Sequence, residues 1–399
     1  MTSVCLLTEG TYPYVTGGVS TWARGLVGGL PDISWSVVHL SDRPPTGLPR
    51  LPPQVNDLVD LQVRGGRGPV PGRRETARLA RLLPGADVYH ATAVGAASAI
   101  AAVAAKAAGT GAGGPAGFVL TEHGTAWREA ELAGGPLETG RRAPTNPGSH
   151  RRWVGALQHE ARRAYAAADA VTTVSSAGAR WQRQFGARSP LVLPHPPSGT
   201  EGVSRHPDRP PLVALVGRVV PLKDIATFIH ACALIGRSIP DCTFAVIGPL
   251  DADPAYAEHC RELIADEHLD DRLLLVGEDD VRRWYPRMAV AVSTSRSEAR
   301  PFVLLEAMQH RVPVVATDVG DCAEMIGSAD GPAAGLAVPP GDVPAVAAAV
   351  LQILGSPPLG RQLGMTGAAR VAALPSPDEH ADSYRHIYRQ VLARRGGRR

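Results

Sequence analysis

Ser295-Arg296-Ser297-Glu298-Ala299-Arg300-Pro301-Phe302-Val303-Leu304-Leu305-Glu306-Ala307 follows an apolar run at 289–294. That run has the length and composition of a buried strand. Pro301 suits the first turn of a helix, where its missing N–H has no partner to lose. A strand, a short polar loop and a helix form the repeating unit of a parallel α/β sheet. Glu298 then stands at the strand's C-terminal edge, and Glu306 lies about two turns into the helix, with seven residues between them. Both can face the crevice in which open α/β sheets bind ligands. Carboxylates there accept hydrogen bonds from sugar and ribose hydroxyls. Two glutamates at this spacing on a surface helix are also, and more commonly, solvated charges.

Upstream, Gly217-Arg218-Val219-Val220-Pro221-Leu222-Lys223-Asp224 follows the apolar run 212–216 and leads into an amphipathic helix. Two cations at the end of a strand and near a helix N-terminus suit a diphosphate. The rest of this half alternates in the same way. Strands are expected at 212–216, 243–247, 272–276, 289–294, 313–316 and 336–338, and helices at 224–235, 254–267, 301–310, 343–354 and 377–394. Asp251-Ala252-Asp253 has the form of a metal-binding Asp-x-Asp, but before Pro254 it reads as a helix start.

The first half follows the same pattern with more interruption. A buried strand at 3–8 is followed by a long turn ending at Gly17 and Gly18. Val19, Trp22, Ala23, Leu26, Val27 and Leu30 then recur at helical spacing. The two glycines therefore precede a helix N-terminus, whose free amides can hold phosphate; the alternative is a plain helix-entry loop. They do not form the Gly-x-Gly-x-x-Gly of a dinucleotide turn. Further strands are expected at 33–40, 87–91, 118–122 and 170–174, and helices at 75–83, 94–108, 150–168 and from Ser175 onward; 191–193 is a short apolar run. The Gly- and Pro-rich stretches 42–53, 64–74, 110–117 and 133–149 read as loops, the last as an acceptor lid, and 198–211 reads as an interdomain linker. His123 lies just past a strand's C-terminal edge, where α/β enzymes place chemistry, although a lone histidine is more often a structural hydrogen-bonder. Trp127, Arg128 and Glu129 follow it as part of an acceptor wall.

With 399 residues the chain has length for two domains. Its 44% hydrophobic and 20% charged residues fit a water-soluble globular protein. The 43 glycines and 36 prolines exceed the usual share and predict long irregular loops. A formal charge of +3 is too small to argue for a nucleic-acid partner. Basic residues cluster at 64–74 and 394–399, where they meet an anionic acceptor, touch a membrane surface peripherally, or are simply solvated. Cys5, Cys232, Cys242, Cys260 and Cys322 form no Cys-x2-Cys pair, so neither a zinc site nor a disulfide framework is expected, and a reducing cytoplasm is the natural compartment. There is no signal-peptide pattern and no integral membrane segment of ~20 apolar residues.

Glu298 and Glu306, with Gly217, Arg218 and Lys223, resemble the Glu-x7-Glu and Gly-Arg-x4-Lys motifs of the retaining, nucleotide-sugar-dependent glycosyltransferases of family 4. Thr8-Glu9-Gly10-Thr11-Tyr12-Pro13-Tyr14-Val15-Thr16-Gly17-Gly18-Val19-Ser20 is similar to the branch containing the Pel exopolysaccharide glycosyltransferase. Thr121-Glu122-His123-Gly124-Thr125 and Gly248-Pro249-Leu250-Asp251-Ala252-Asp253-Pro254 fit that branch too. The resemblance implies the GT-B fold: an α/β chain of two Rossmann-like domains facing across a cleft. Residues 1–198 would bind the acceptor and 199–376 the nucleotide sugar, with 377–399 a helix crossing back to the first domain and a basic tail. It also implies retention of configuration, a UDP-sugar donor, no cofactor and no metal. Arg218 and Lys223 would take the diphosphate, Glu306 the ribose and Glu298 the sugar hydroxyls. His123 would lie beside the sugar and its phosphates, and Gly17, Gly18, Pro301, Phe302 and Val303 would complete the donor site.

The chain departs from the family at two places. Ala299 and Arg300 follow Glu298 where a glycine is usual, and Pro194-His195-Pro196-Pro197 stands where Pro-Asn-Gly is usual. Arg300 either reads a carboxylate or phosphate on a substrate or is a surface arginine pairing with a nearby acid. The acceptor, a small natural product, a cyclitol or a saccharide, is not legible. A non-catalytic sugar-nucleotide-binding subunit and a GT-B-fold epimerase are the alternative readings.

Overall fold

Repeated strand–helix units, each strand feeding a crossover to a parallel neighbour, build both halves of the chain. The computed structural model describes residues 1–15, 17–45, 47–63, 68–108, 116–132, 144, 146–197, 210–327 and 332–396. Its two units are Met1–Pro196 with Pro375–Arg399, and Pro197–Leu374. The expected linker at 198–211 and most of the loops at 110–117 and 133–149 lie outside the described residues, as do 64–67 and 397–399 of the two basic clusters.

The first unit runs β1 (Ser3–Glu9), α1 (Gly18–Gly29), β2 (Ser34–Ser41), β3 (Val55–Gln62), α2 (Arg73–Ala80), β4 (Val88–Ala91), α3 (Ala96–Ala108), β5 (Gly117–Glu122), α4 (Ala126–Leu132), α5 (Pro147–Ala167), β6 (Ala170–Thr173), α6 (Ser176–Gln184) and β7 (Leu191–Val192). Among the described residues these strands form one sheet in the order β3-β2-β1-β4-β5-β6-β7, and every pairing is parallel. β1, β4 and β5 are buried almost end to end, as strands covered on both faces must be. β3 carries Asp57 and Asp60 and pairs only with β2. It is half-exposed, which an edge strand tolerates, and its charges hide it from a search for apolar runs. The last residues of the expected lid are the start of α5, where Pro147 is the first helical residue and Asn146 caps the amides of Gly148 and Ser149.

The second unit runs β8 (Leu212–Val216), α7 (Ile225–Ser238), β9 (Thr243–Ile247), α8 (Pro254–Asp266), β10 (Leu273–Gly277), β11 (Met288–Ser293), α9 (Phe302–Gln309), β12 (Val314–Thr317), α10 (Cys322–Ile326), β13 (Gly335–Val338), α11 (Val343–Leu354) and α12 (Pro357–Ala372). Its sheet is also all parallel, in the order β10-β9-β8-β11-β12-β13. Asp224, Asp253 and Asp342 cap α7, α8 and α11 by accepting from Thr227, Tyr256 and Ala345 amides. Asp253 is thus the helix-start residue that its position before Pro254 suggests. α12 escapes sequence reading because its two leading prolines and several glycines mask the helical period. Those glycines have a packing reason: a Cβ on Gly367 would lie 3.0 Å from the Met308 side chain of α9, and one on Gly364 would overlap the Arg311 carbonyl.

Two expectations need correction. Pro301 is not in the first turn of α9; it is the residue before it, with extended backbone at ψ 127°. Glu306 is consequently little more than one turn into the helix, not two. The final helix, α13 (Pro377–Gly396), belongs to the first unit. Its Tyr384 and Tyr388 are fully buried. The Tyr388 hydroxyl meets His90 Nδ1 at 2.8 Å, and the Tyr384 hydroxyl meets Thr121 Oγ1 at 3.3 Å. Midway along the helix Arg385 pairs with Asp32, and near its C-terminal end Arg395 pairs with Asp169.

Candidate active site

Strand order, which no local pattern encodes, fixes where ligands can sit. In the second unit the chain goes from β8 to β9 on one side and later returns to place β11 on the other. The crevice beyond the C-terminal ends of β8 and β11 is therefore a topological switch point. Residues following those two strands meet there: Lys223 Nζ donates to Glu298 Oε1. Ser295 Oγ donates to the same carboxylate oxygen at 2.7 Å. Thr294 Oγ1 bonds the Lys223 and Asp224 carbonyls at 3.0 and 2.9 Å, tying the two loops together. Both side chains are mostly buried, with exposures of 19% for Lys223 and 11% for Glu298. A cation and a carboxylate are thereby preorganised side by side at a place that suits an anionic, hydroxylated ligand.

Backbone packing underlies this arrangement. Gly320, at φ +59°, lies against the Glu298 and Ala299 peptides, and the Asp321 amide donates to the Ala299 carbonyl at 3.0 Å. Gly248, at φ +152°, lies against the Gly217 carbonyl with no room for a side chain. Arg218 stands half-buried in the turn after β8 and makes no ion pair among the described residues. Phe302 and Val303 are the first helical residues of α9. Glu306 accepts the Tyr285 hydroxyl at 2.7 Å. Burial, then the charge of Glu306, raises the Tyr285 pKa well above its usual value, so the phenol stays a donor. Tyr285 comes from a single 3-10 turn between β10 and β11, which carries no motif, so sequence reading passes over it.

Arg300 is not a surface arginine. Its side chain is 10% exposed, and it lies 3.8 Å from the 1%-exposed Asp321 carboxylate. Burial lowers its pKa, while Asp321 and Glu324 pull the other way.

The first unit has its own switch point, between β1 and β4. Glu9 ends β1 and Thr11 follows it, and Thr92 and Ala93 follow β4. With Val19, His123, Gly124, Ala126 and Glu129 they line one small pocket. Glu9 Oε1 accepts the Ala97 amide at the start of α3 at 2.6 Å. Sequence reading singled out His123 and Glu129 but not Glu9 or Thr92, because only the strand order places the latter there. Gly17 precedes α1 and Gly18 is its first residue; Trp22, one turn on, meets the His123 ring at 4.4 Å. His123 is 7% exposed. Burial, then the nearby His90 and His380, lowers its pKa to about 3, so its imidazole is neutral at pH 7.

Comparison with known proteins gives a match within each unit. Residues 210–356 match the profile of the "Glycosyl transferases group 1" family. That match lies wholly within the second unit. Residues 2–76 and 73–190 match a domain of unknown function, DUF3492. A lipopolysaccharide core biosynthesis mannosyltransferase of Rhizobium leguminosarum is 30% identical over 51% of this chain and 58% of its own length. An alpha-D-kanosaminyltransferase of Streptomyces kanamyceticus is 32% identical over 46% of this chain and 47% of its own. The chain thus spans about half the length of these curated relatives. Among solved structures, a sucrose-phosphate synthase from Thermosynechococcus elongatus superposes with TM-score 0.77 at 21% identity, covering 98% of this chain and 100% of that one. Anabaena HepE, solved with UDP and glucose, gives 0.70 at 15%, covering 97% and 99%. At these identities the likeness is one of fold, and that fold is GT-B. Among the described residues, no single helix is long and apolar enough to cross a membrane.

Proposed function

We propose that the chain is a retaining glycosyltransferase of the family 4 type, moving a sugar from a UDP-sugar to a hydroxyl of an acceptor without a metal. The observation that carries this reading is the Lys223–Glu298–Ser295 constellation at the β8/β11 switch point. Departure of a nucleoside diphosphate needs charge neutralised on its phosphates, a task for preorganised cations and amides. Arg218 offers a planar fork and Lys223 a compact charge. Their presence makes a metal bridge unnecessary, and Asp253 is occupied in capping α8. Glu298, held by Lys223 and Ser295, is placed to accept sugar hydroxyls and orient the anomeric carbon. Glu306, held by Tyr285, accepts the ribose hydroxyls. The pocket of the first unit, lined in part by neutral His123, takes the acceptor.

Retention follows in this reading from a front-face route. The anomeric carbon–phosphate bond breaks, the leaving phosphate takes the acceptor's proton, and the acceptor oxygen bonds the same face. The named solved structure with UDP bound and the likeness to the Pel exopolysaccharide branch favour UDP over other nucleotides. The reading also places the enzyme in the cytoplasm, where nucleotide sugars are made.

The test is donor turnover against a panel of UDP-, GDP- and ADP-sugars with candidate acceptors, run with and without chelator, followed by NMR of the anomeric product. UDP-sugar turnover that survives chelation and retains configuration is expected, as is its loss in Lys223→Met. An inverted product, or affinity without any turnover or hydrolysis, would overturn the reading.

A further inference from the structure

His195 interrupts the Pro-Asn-Gly pattern of the family, and no role falls to it from the reaction itself. The packing around His123 gives it one. Neither ring nitrogen of His123 has a hydrogen-bond partner among the described residues, although the ring is 7% exposed. Buried imidazoles ordinarily take their orientation from a hydrogen bond at one nitrogen. Here that anchor is missing, although the ring borders the pocket that His123 helps to line.

Two ring contacts take its place. Trp22 meets His123 with rings 62° apart at 4.4 Å, and His195 lies parallel to it, 4° apart at 5.3 Å. His195 is 3% exposed and sits between Pro194 and Pro196, whose rings restrict the backbone. A single residue of α13 joins the two supports. Trp22 Nε1 donates to His380 Nε2 at 3.2 Å. The His380 proton therefore resides on Nδ1, and the Pro194 backbone is its other partner. Helix α13, α1 and the segment at 194–196 thus converge on one imidazole.

We propose that His195 is a positioning residue: its ring, stacked on His123 and tied to α13 through Pro194 and His380, holds the His123 imidazole in the orientation with which it lines the pocket proposed for the acceptor. The idea rests on the acceptor pocket proposed beside His123, and it assigns the departure from the family pattern to orientation, not to the reaction. Nucleotide binding is left to Arg218, Lys223 and Glu306. Removing the stacked ring should therefore cost turnover and spare nucleotide affinity.

The test compares His195→Ala with His195→Phe, which keeps a flat ring. The readouts are UDP affinity by calorimetry, UDP release from UDP-glucose, and the imidazole proton–nitrogen NMR spectrum of His123. His195→Ala should move the His123 resonances and lower kcat about three- to tenfold, the range of a lost ring contact. UDP affinity and donor KM should stay within about twofold. His195→Phe should restore kcat. Equal losses in both variants, or parallel falls in kcat and UDP affinity, would show a merely structural residue. Unmoved His123 resonances in His195→Ala would overturn the proposal whatever the substrate. A wild-type protein that ignores UDP-sugars while His195→Ala still moves His123 would instead sink the functional reading and leave the packing role standing.

Discussion

Replacing Gly320 by alanine should move the carboxylate on which the proposed chemistry depends, without touching any charged group. A Cβ at this position would lie 2.7 Å from the Glu298 carbonyl carbon and 3.0 Å from the Ala299 oxygen, with the Glu298 oxygen closer still. The obstacle is backbone, so no rotamer change relieves it; the 298–299 peptide must retreat by roughly 1 Å in a close-packed site. The residue also sits at φ +59°, where a side chain costs about 1–2 kcal/mol. Overpacking adds about 1–3 kcal/mol, for a total of about 2–5 kcal/mol. Glu298 would be carried away from Lys223 and Ser295. A misplacement of about 1 Å at a reacting centre costs on the order of 100-fold in turnover. Gly341→Ala is the control: it has φ +75° and nothing within 4 Å of the new Cβ, so it should show only the backbone cost of about 1–2 kcal/mol. Urea unfolding gives the stabilities, and UDP release from a UDP-sugar gives turnover. If the two variants match in both, the close packing of Gly320 under Glu298 is not what positions the carboxylate.

Tyr285→Phe removes the 2.7 Å hydrogen bond to Glu306; UDP affinity measured by calorimetry should fall about tenfold, the scale of a lost bond to a charged group, and an unchanged value would argue against Glu306 as the ribose acceptor. Arg300→Met leaves the Asp321 carboxylate, 1% exposed, without its guanidinium, and should cost about 3–5 kcal/mol in urea unfolding. A variant of normal stability with altered preference between neutral and acidic sugars would restore the substrate-reading role for Arg300. Burial raises the Glu122 pKa from 4.5 to about 7, against the hydrogen bonds from Tyr165 and Gln182. This carboxyl takes up a proton on folding within that window, so its contribution is present at low pH and is lost as pH rises through the window. Glu122→Gln should therefore gain stability relative to wild type between pH 5 and pH 8, by about 3 kcal/mol at most. The buried histidines, which titrate with the opposite slope, cancel in that difference, and a pH-independent difference would refute the argument.

Much of the second unit was legible because its signals are local. The strands Leu212–Val216 and Thr243–Ile247 and the helix Val343–Leu354 stand where their apolar runs and caps place them. The first unit was harder, for reasons visible in its residues. β3 has the charges of an edge strand, and α4 is a short helix opening at Ala126 with neither a capping signal nor a long apolar face. In both units the misreadings fall where tertiary contact overrides propensity: the glycines that weaken α12 on paper are what let it lie against α9.

The candidate site divides in the same way. Glu298, Glu306, Arg218, Lys223 and His123 were visible as residue types at characteristic spacings after strands. Ser295 lay unremarked inside the opening stretch and Glu9 inside the motif at 8–20; Tyr285 and Thr92 had no signal at all. Each enters through a neighbour distant in sequence, and a one-dimensional pattern carries no information about which strand lies beside which.

By itself, then, the order of residues determined that the chain would form parallel strand–helix units, where most of them begin, and which side chains follow the strands. Those features depend on periods of two and 3.6 residues, on caps and on proline, all set within a few positions. Only the tertiary structure decided that β8 adjoins β11 and β1 adjoins β4, that Lys223 meets Glu298, that Arg300 is buried against Asp321, and that His195 lies on His123. Those outcomes are settled by burying apolar faces across long stretches of chain, where the gain depends on every layer packing at once.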